Sequence, residues 1–217
     1  MRPIRSYVLR QGRTTPAQKR ALEELLPKYG IAFADQKISS DRDLVLEIGS
    51  GMGETTVAIA KAHPEADFIA VEVHGPGVGS LLNAIEKHRL QNLRVIRHDA
   101  IEVLERMIAD ESLAAIHLFF PDPWPKKRHH KRRMVQPQFA ALAAAKLREG
   151  GVLHAATDWP NYAEHMHAVL SRERLLEPAP AGFSARPVTK FESRGRRLGH
   201  PVRDLVFRRR GKTPAAR

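Results

Sequence analysis

The stretch Leu44-Val-Leu-Glu-Ile-Gly-Ser-Gly-Met-Gly-Glu54 joins a short apolar run to a cluster of glycines, and residues 54–61 then have helical character. This order predicts a strand, a tight turn and a helix, the unit from which α/β sheets are built. Glycines at such a turn let a ligand approach backbone N–H groups near the helix N-terminus. The dinucleotide-binding fingerprint requires a glycine where Glu54 stands, so the spacing disfavours a nicotinamide-dependent oxidoreductase.

Strands and helices alternate outward from this unit. The predicted strands are 44–48, 67–72, 93–96, 114–120 and 151–156, with a further C-terminal candidate at 204–208 that returns to the sheet edge. The predicted helices between them are 54–61, 78–89, 100–109, 137–147 and 160–172. Continuous apolar strands of this kind suit a mostly parallel, doubly wound sheet with helices on both faces. We expect a basic tail and a helix over 1–40, with Thr15 as the N-cap and Pro16 as the first residue of the helix. One domain over 41–210 and a short tail over 211–217 are expected to follow.

Charge is the unusual feature of the composition. The 217 residues include 36 Lys or Arg and 24 Asp or Glu, for a net charge of +12. Residues 1–20, 124–133 and 186–210 together carry an excess of 19 positive charges, so the remainder of the chain sums to −7. A mildly acidic body with three basic segments indicates a polyanionic partner, most often nucleic acid.

Three acidic residues stand at or just after the ends of successive predicted strands. Glu47 lies two residues before the first glycine, Glu72 ends the second strand, and Asp99 follows the third. The Gly-x-Gly-x-Gly spacing with this preceding acid resembles motif I of class I S-adenosylmethionine-dependent methyltransferases, whose loop passes under the methionine part of the cofactor. A carboxylate at Glu72 can accept both ribose hydroxyls, and one at Asp99 can accept from the adenine amino group. Each feature alone also fits a tight turn or a capping residue, but three in register predict a cofactor site.

The loop after the fourth strand reads Phe119-Phe-Pro-Asp-Pro-Trp-Pro125. Its three prolines fix φ and favour extended geometry in the residue before each of them, so Asp122 and Trp124 are expected on a stiff track. The Asp-Pro-Trp-Pro turn is similar to the base-cradling turn of amino-methyltransferases. Trp124 could stack on a flipped base or serve as a packing anchor, and the sequence leaves both interpretations open.

A basic run, Lys126-Lys-Arg-His-His-Lys-Arg-Arg133, follows directly. Such runs are usually solvated loops, but this one adjoins a predicted active-site loop and an aromatic residue, which favours contacts with RNA phosphates. The stretch 120–133 resembles the signature of the bacterial tRNA (guanine-N7-)-methyltransferase family. Residues 71–79, 157–159 and 189–200 are also similar to segments of that family, and the resemblance covers about 44–208 in order.

This resemblance implies a seven-stranded Rossmann-like methyltransferase fold that uses S-adenosyl-L-methionine, releases S-adenosyl-L-homocysteine and methylates N7 of guanine 46 in the tRNA variable loop. It implies Asp122 as the catalytic residue and a cofactor site made of Glu47, Gly49, Gly51, Gly53, Glu72, Asp99 and Asp122. The implied substrate-binding residues are Lys126, Asp158, Thr189, Lys190, Phe191 and Glu192. The implied RNA contacts are Arg128, His129, His130, Lys131, Arg132 and Arg133. Arg97-His98 departs from the Asn-Ala of many members, which affects only local packing beside Asp99.

Other classes fit less well. The chain has no cysteine, and neither His165-x-His167 nor His129-His130 has the arrangement of a metal site, so no metal is expected. No signal peptide or membrane-spanning run is readable, so we expect a cytoplasmic protein. A methyltransferase with another substrate is disfavoured by the basic run and the full-length signature, and a non-catalytic RNA-binding module by the presence of all three cofactor acids. A monomer and a homodimer both remain open.

Overall fold

The protein is built on one seven-stranded sheet with the strand order β3-β2-β1-β4-β5-β7-β6. The computed structural model describes residues 5–7, 12–180, 192 and 201–211. The strands are β1 (Leu44–Ile48), β2 (Asp67–Val71), β3 (Leu93–Ile96), β4 (Leu113–Phe119), β5 (Leu147–Thr157), β6 (Leu176–Pro178) and β7 (Arg203–Arg209). The helices are α1 (Pro16–Glu24), α2 (Leu26–Tyr29), α3 (Glu54–Ala62), α4 (Gly75–His88), α5 (Ala100–Met107), α6 (Pro137–Lys146) and α7 (Pro160–Leu170).

Helices cover both faces of the sheet. Strands β1 to β5 pair in parallel, and alternate residues of each strand point to opposite faces. On one face, Leu46 of β1 packs in a core with α5, α6 and α7, and on the other, Val45 packs in a core with α1, α3 and α4. Burial on both faces explains why these strands are nearly continuous apolar runs.

The topology confirms the predicted doubly wound fold and corrects one detail. Strand β7 is antiparallel to its neighbours, as expected, but it lies between β5 and β6 and not at the edge. The edge strand is β6, which sequence analysis missed because it has three residues and ends in Pro178. Proline is tolerated in an edge strand, where its missing N–H faces no partner.

The N-terminal helix is joined to the body through close backbone contact. Thr15 and Gln18 form a reciprocal capping box at the start of α1, as the Thr-Pro sequence indicated. A Cβ at Gly79 of α4 would lie 2.6 Å from the Gln18 carbonyl oxygen, so only glycine lets α1 approach α4 this closely. Among the described helices, none is long and apolar enough to cross a membrane.

Candidate active site

The glycine loop between β1 and α3 requires glycine for its backbone shape. Gly49, Gly51 and Gly53 have φ values of 73°, 55° and 84°, a region that other residues rarely adopt. A Cβ at Gly53 would collide with Leu81, whereas Cβ atoms at Gly49 and Gly51 would meet nothing within 4 Å. The loop is therefore closed toward the core and open on the side where a ligand could approach its backbone.

Glu72 holds this loop from below. Its Oε2 accepts a hydrogen bond from the Gly51 N–H at 2.8 Å, and its Oε1 accepts from the N–H groups of Val73 at 2.7 Å and His74 at 2.9 Å. The carboxylate is almost completely buried. Hydrogen bonds from N–H groups to a buried carboxylate are strong, so Glu72 fixes the glycine loop against the turn that begins α4.

Asp99 lies at the third strand end, where it caps α5 by accepting from the Ile101 N–H at 2.8 Å. Its second partner is the Tyr7 hydroxyl, from a short N-terminal segment that we call the strap (Arg5–Tyr7). Burial, followed by the charge and the hydrogen bond of Asp99, raises the pKa of Tyr7. The strap thus reaches the position where a cofactor acid was predicted.

Two cavities open at this edge of the sheet. The first, of about 190 Å³, is lined by Gly49, Glu72 and Asp122 and by Ser6 and Tyr7 of the strap. The second, of about 440 Å³, lies beside Asp99, Lys131 and Arg132. Ser6 and Met134 line both cavities and form the wall between them. Carboxyl ends of parallel strands are where open α/β sheets bind ligands, so this edge is the candidate active site.

The loop after β4 has an unexpected backbone. Phe120 and Trp124, each preceding a proline, have φ values of 53° and 45° and not the extended geometry expected for them. Tertiary contacts outweigh the local preference: the Phe120 N–H donates to the Ala156 carbonyl at 2.8 Å, and the Trp124 side chain is fixed by the strap. Left-handed backbone costs about 1–3 kcal/mol per residue and persists only where surrounding structure determines it. Asp122, between the two, is exposed and lines the first cavity.

Trp124 serves as a packing anchor in this structure. Its Nε1–H donates to the Ser6 carbonyl at 3.0 Å, and the Arg132 guanidinium lies 3.8 Å from its ring centroid. Arg132 also donates to the carbonyls of Arg5 and Tyr7, at 3.1 and 3.0 Å. Trp124, Arg132 and the strap therefore form one unit, and Arg132 covers one face of the Trp124 ring.

The basic run forms a 3₁₀ helix over Lys127–Arg132, and its cations divide into two groups. Lys126, Arg128 and Lys131 are exposed, but Arg133 is only 3% exposed. Arg133 donates to the Pro123 carbonyl at 2.9 Å and to Asn161 Oδ1 at 2.8 Å, and its guanidinium packs on the Tyr162 ring. Arg133, which the resemblance places among the RNA contacts, therefore supports the loop from inside and is almost completely buried.

The remaining predicted residues are placed unequally. Asp158 directly follows β5 and is half-buried, His129 and His130 lie half-buried in the 3₁₀ helix, and Glu192 is buried. Thr189, Lys190 and Phe191 lie outside the described residues. Sequence reasoning missed Ser6, Tyr7 and Met134, since only the basic character of the N-terminal tail hinted that the tail meets the site.

Glu47 lies beneath the site and not in it. It is buried on β1 and pairs in register with His117 of β4, whose register partner on β5 is His154. Burial first, and then the charge of Glu72, raises the pKa of Glu47 to about 7, whereas burial lowers the pKa of His117 to about 3. Neither ring nitrogen of His117 has a hydrogen-bond partner in the described structure. Polar groups thus continue from the site into the core.

The sheet order, the glycine loop and the strand-end carboxylates fit a Rossmann-like methyltransferase fold. The crystal structure of 16S rRNA methyltransferase KamB is similar, with a TM-score of 0.55 and 17% identity over 92% of this chain and 96% of that chain. An rRNA methylase from Streptococcus thermophilus has a TM-score of 0.52 and 12% identity over 79% and 89%. Residues 41–205 match the family model described as "Putative methyltransferase".

The family is narrower than this class. A tRNA (guanine-N(7)-)-methyltransferase from Nitrosomonas europaea is 56% identical over an alignment that covers 95% of this chain and 97% of that protein. One from Neisseria meningitidis serogroup A is 52% identical over an alignment that covers 97% of this chain and 92% of that protein. The chain belongs to the tRNA (guanine-N(7)-)-methyltransferase family. The fold and the family predicted from the sequence are both confirmed.

Glu47 gives stability a pH dependence that can be measured. Because its folded pKa of about 7 exceeds the ordinary 4.5, its contribution is fully present below pH 4.5 and is lost as the pH rises through 7. Glu47→Gln removes this titration. We expect the difference in unfolding free energy between wild type and variant to fall by about 3 kcal/mol from about pH 4.5 to about pH 8, measured by denaturant titration.

His117 acts in the opposite direction, because its pKa is lowered on folding and its contribution to stability grows as the pH rises from about 3 to 6.5. Wild type and variant are therefore compared at the same pH, where this contribution cancels. A difference that does not change with pH would contradict a raised pKa for Glu47.

Proposed function

We propose that this enzyme transfers a methyl group from S-adenosyl-L-methionine to N7 of guanine 46 in the variable loop of tRNA, with S-adenosyl-L-homocysteine as the second product. One observation carries the proposal in a chain of this family. Asp122 lines the same cavity as the glycine loop, and the loop that holds Asp122 continues into exposed cations. Because its substrate is tRNA, we place the enzyme in the cytoplasm.

The residues at the strand ends suit the proposed cofactor. Gly49 and Gly51 leave open space over the loop backbone. The carboxylates of Glu72 and Asp99 already accept hydrogen bonds within the protein, but each keeps an acceptor site for a hydroxyl or amino group. When bound, the cofactor supplies an electrophilic methyl group on a positively charged sulfur. Glu47 is buried on β1 two residues before Gly49, so we assign it an indirect role: it supports the backbone of the glycine loop from beneath.

Methyl transfer to N7 requires alignment of the base with the methyl group and does not require a proton transfer. N7 of guanine has a free lone pair and no proton, so it forms the new bond to the methyl carbon while the carbon–sulfur bond breaks and its electrons stay on sulfur. No general base is needed before transfer. Rate enhancement then comes from orientation and electrostatics, and we assign Asp122 the role of orienting the base.

Base selectivity follows from the hydrogen-bonding edge of guanine. Carboxylates at Asp122 and Asp158 can accept from N1–H and from the N2 amino group, whereas adenine has no proton on N1. The parallel register supports their cooperation, since β4 and β5 are neighbours and Phe119 pairs with Ala156 just before both loops.

The exposed part of the basic run is the proposed grip on tRNA. Four cations of the run are exposed and have no acidic neighbour within it: Lys126, Lys127, Arg128 and Lys131.

The proposed domain division is a basic N-terminal tail and helix, a methyltransferase domain over 41–210 and a C-terminal tail. The catalytic function lies in the domain.

The deciding experiment incubates the protein with methyl-labelled S-adenosylmethionine and unmodified tRNA, and then maps the labelled base. We expect label on N7 of guanine 46 and none on a tRNA with adenine at that position. Label on another base or on protein would overturn the proposed substrate. Cofactor and tRNA binding without label would indicate a non-catalytic RNA-binding protein.

Replacing Asp122 by asparagine tests the orienting role. Asp122→Asn keeps the shape of the side chain but removes its charge, so we expect a fall in the methylation rate of about 100-fold from misalignment. The rate is measured from about pH 6 to about pH 9. If Asp122 orients the base, the variant stays slow across this range; strong recovery at high pH would instead indicate base catalysis.

Neutralising the exposed cations tests the grip. For the triple variant Lys127→Gln, Arg128→Gln and Lys131→Gln we expect weaker tRNA binding and a plot of log K against log salt flatter by about 2. Affinity for S-adenosylhomocysteine should not change. Arg133→Gln is the matched control: it should lower thermal stability while its salt slope stays close to that of wild type. Equal loss of cofactor and tRNA affinity in the triple variant would contradict the division of roles.

A further inference from the structure

Trp159 stands on a rigid backbone at the edge of the candidate active site. It follows β5 by two residues and is the N-cap of α7. Its N–H donates to the Thr157 hydroxyl at 3.2 Å, and its carbonyl accepts from the N–H groups of Tyr162 and Ala163, both at 3.0 Å. Because Tyr162 and Ala163 are buried, the backbone of Trp159 is fixed to the core.

The side chain of Trp159 nevertheless meets solvent. It is 39% exposed, and within the described part of the chain the other exposed large hydrophobic residues are Met52 and Leu175, neither of them aromatic. An indole combines a large apolar face with a polar N–H, so an exposed one is suited to a contact with a partner molecule.

The position of Trp159 connects it with the RNA-facing loop. Ala156 accepts from the Phe120 N–H, so the chain that leads to Trp159 runs beside the start of the Asp122 loop. In the first turn of α7, Asn161 accepts from Arg133. Arg133 ends the basic run, so this hydrogen bond joins the segment that holds the exposed cations to the helix that begins directly after Trp159.

The second tryptophan near the site does not offer the same surface. Trp124 has Arg132 on its ring and donates its N–H to Ser6. Aromatic side chains beside cationic loops are the platform on which proteins stack unpaired bases. Of the two tryptophans, Trp159 has the exposure that stacking requires.

We propose that Trp159 stacks on an unpaired nucleobase of the tRNA, and so positions the variable loop while the basic run holds its phosphates. The inference rests on the proposed function, because it takes tRNA as the substrate. A nucleobase is favoured over a protein partner for two reasons. The exposed large hydrophobic residues of the described chain, Met52, Trp159 and Leu175, are far apart in sequence, and the Arg133–Asn161 hydrogen bond joins the start of α7 to the basic run.

The first test compares tRNA affinity in Trp159→Ala and Trp159→Phe. Stacking contributes about 1–3 kcal/mol per base, so Trp159→Ala should weaken tRNA binding by about 5- to 150-fold, and the phenylalanine variant should stay within about three-fold of wild type. Stacking involves no counterion, so the salt slope should not change in either variant. Leu175→Ala, which removes a similarly exposed residue that precedes β6, should bind tRNA as wild type does.

A fluorescence measurement separates stacking from a general loss of structure. Binding of tRNA should quench the tryptophan emission of wild type, and most of that quenching should disappear in Trp159→Phe, where only Trp124 remains. S-adenosylhomocysteine affinity and melting temperature should match wild type in both variants. Unchanged tRNA affinity in Trp159→Ala, or full quenching in Trp159→Phe, would overturn the inference.

The failure of this inference is distinguishable from failure of the proposed function. If wild type methylates guanine 46 and Trp159→Ala does so with the same KM for tRNA, only the stacking role is wrong. If wild type neither binds nor methylates tRNA, the proposed function itself fails. Loss of binding to a protein partner with intact tRNA affinity would assign the indole to a protein surface and would also overturn the stacking role.

Discussion

The site depends on the hydrogen bonds that the carboxylate of Glu72 accepts. Their donors are backbone N–H groups of two turns that are separate in sequence, the glycine loop after β1 and the turn after β2. A buried carboxylate is tolerated only where such donors surround it. The loop in turn holds a left-handed shape that glycine alone adopts readily, so the charge at Glu72 and the glycines at 49, 51 and 53 require each other. The open backbone over which a ligand can lie is the product of this pairing.

A second buried charge, that of Arg133, organises the basic loop. Arg133 closes the basic loop onto α7 through Asn161 and Tyr162 and onto Pro123 at the start of the loop. Its guanidinium has the planar, multiple-donor geometry that a buried position needs. Arg133 thus has a structural role, and its contacts fix the position of the loop that holds the exposed cations. Trp159 is the N-cap of α7, so the hydrogen bond between Arg133 and Asn161 connects the proposed stacking residue with the basic loop.

Local signals gave the parts of the fold that depend on local physics. The five parallel strands were readable because burial on both faces makes each a continuous apolar run, and the glycine loop because positive φ selects glycine. Contacts between distant residues were not readable. Ser6 meets Trp124 across 118 residues, and nothing near either residue encodes this. Arg133 and Lys131 look alike within the basic run, and only Asn161 and Tyr162, far along the chain, decide that one is buried. β6 is too short to have a periodic pattern.

The strap also bears on how this protein is handled. Arg132 holds the carbonyls of Arg5 and Tyr7, and Ser6 lines both cavities. A label or affinity tag that displaces Ser6 would therefore alter the lining of both cavities at once, although no residue at the strand ends has changed.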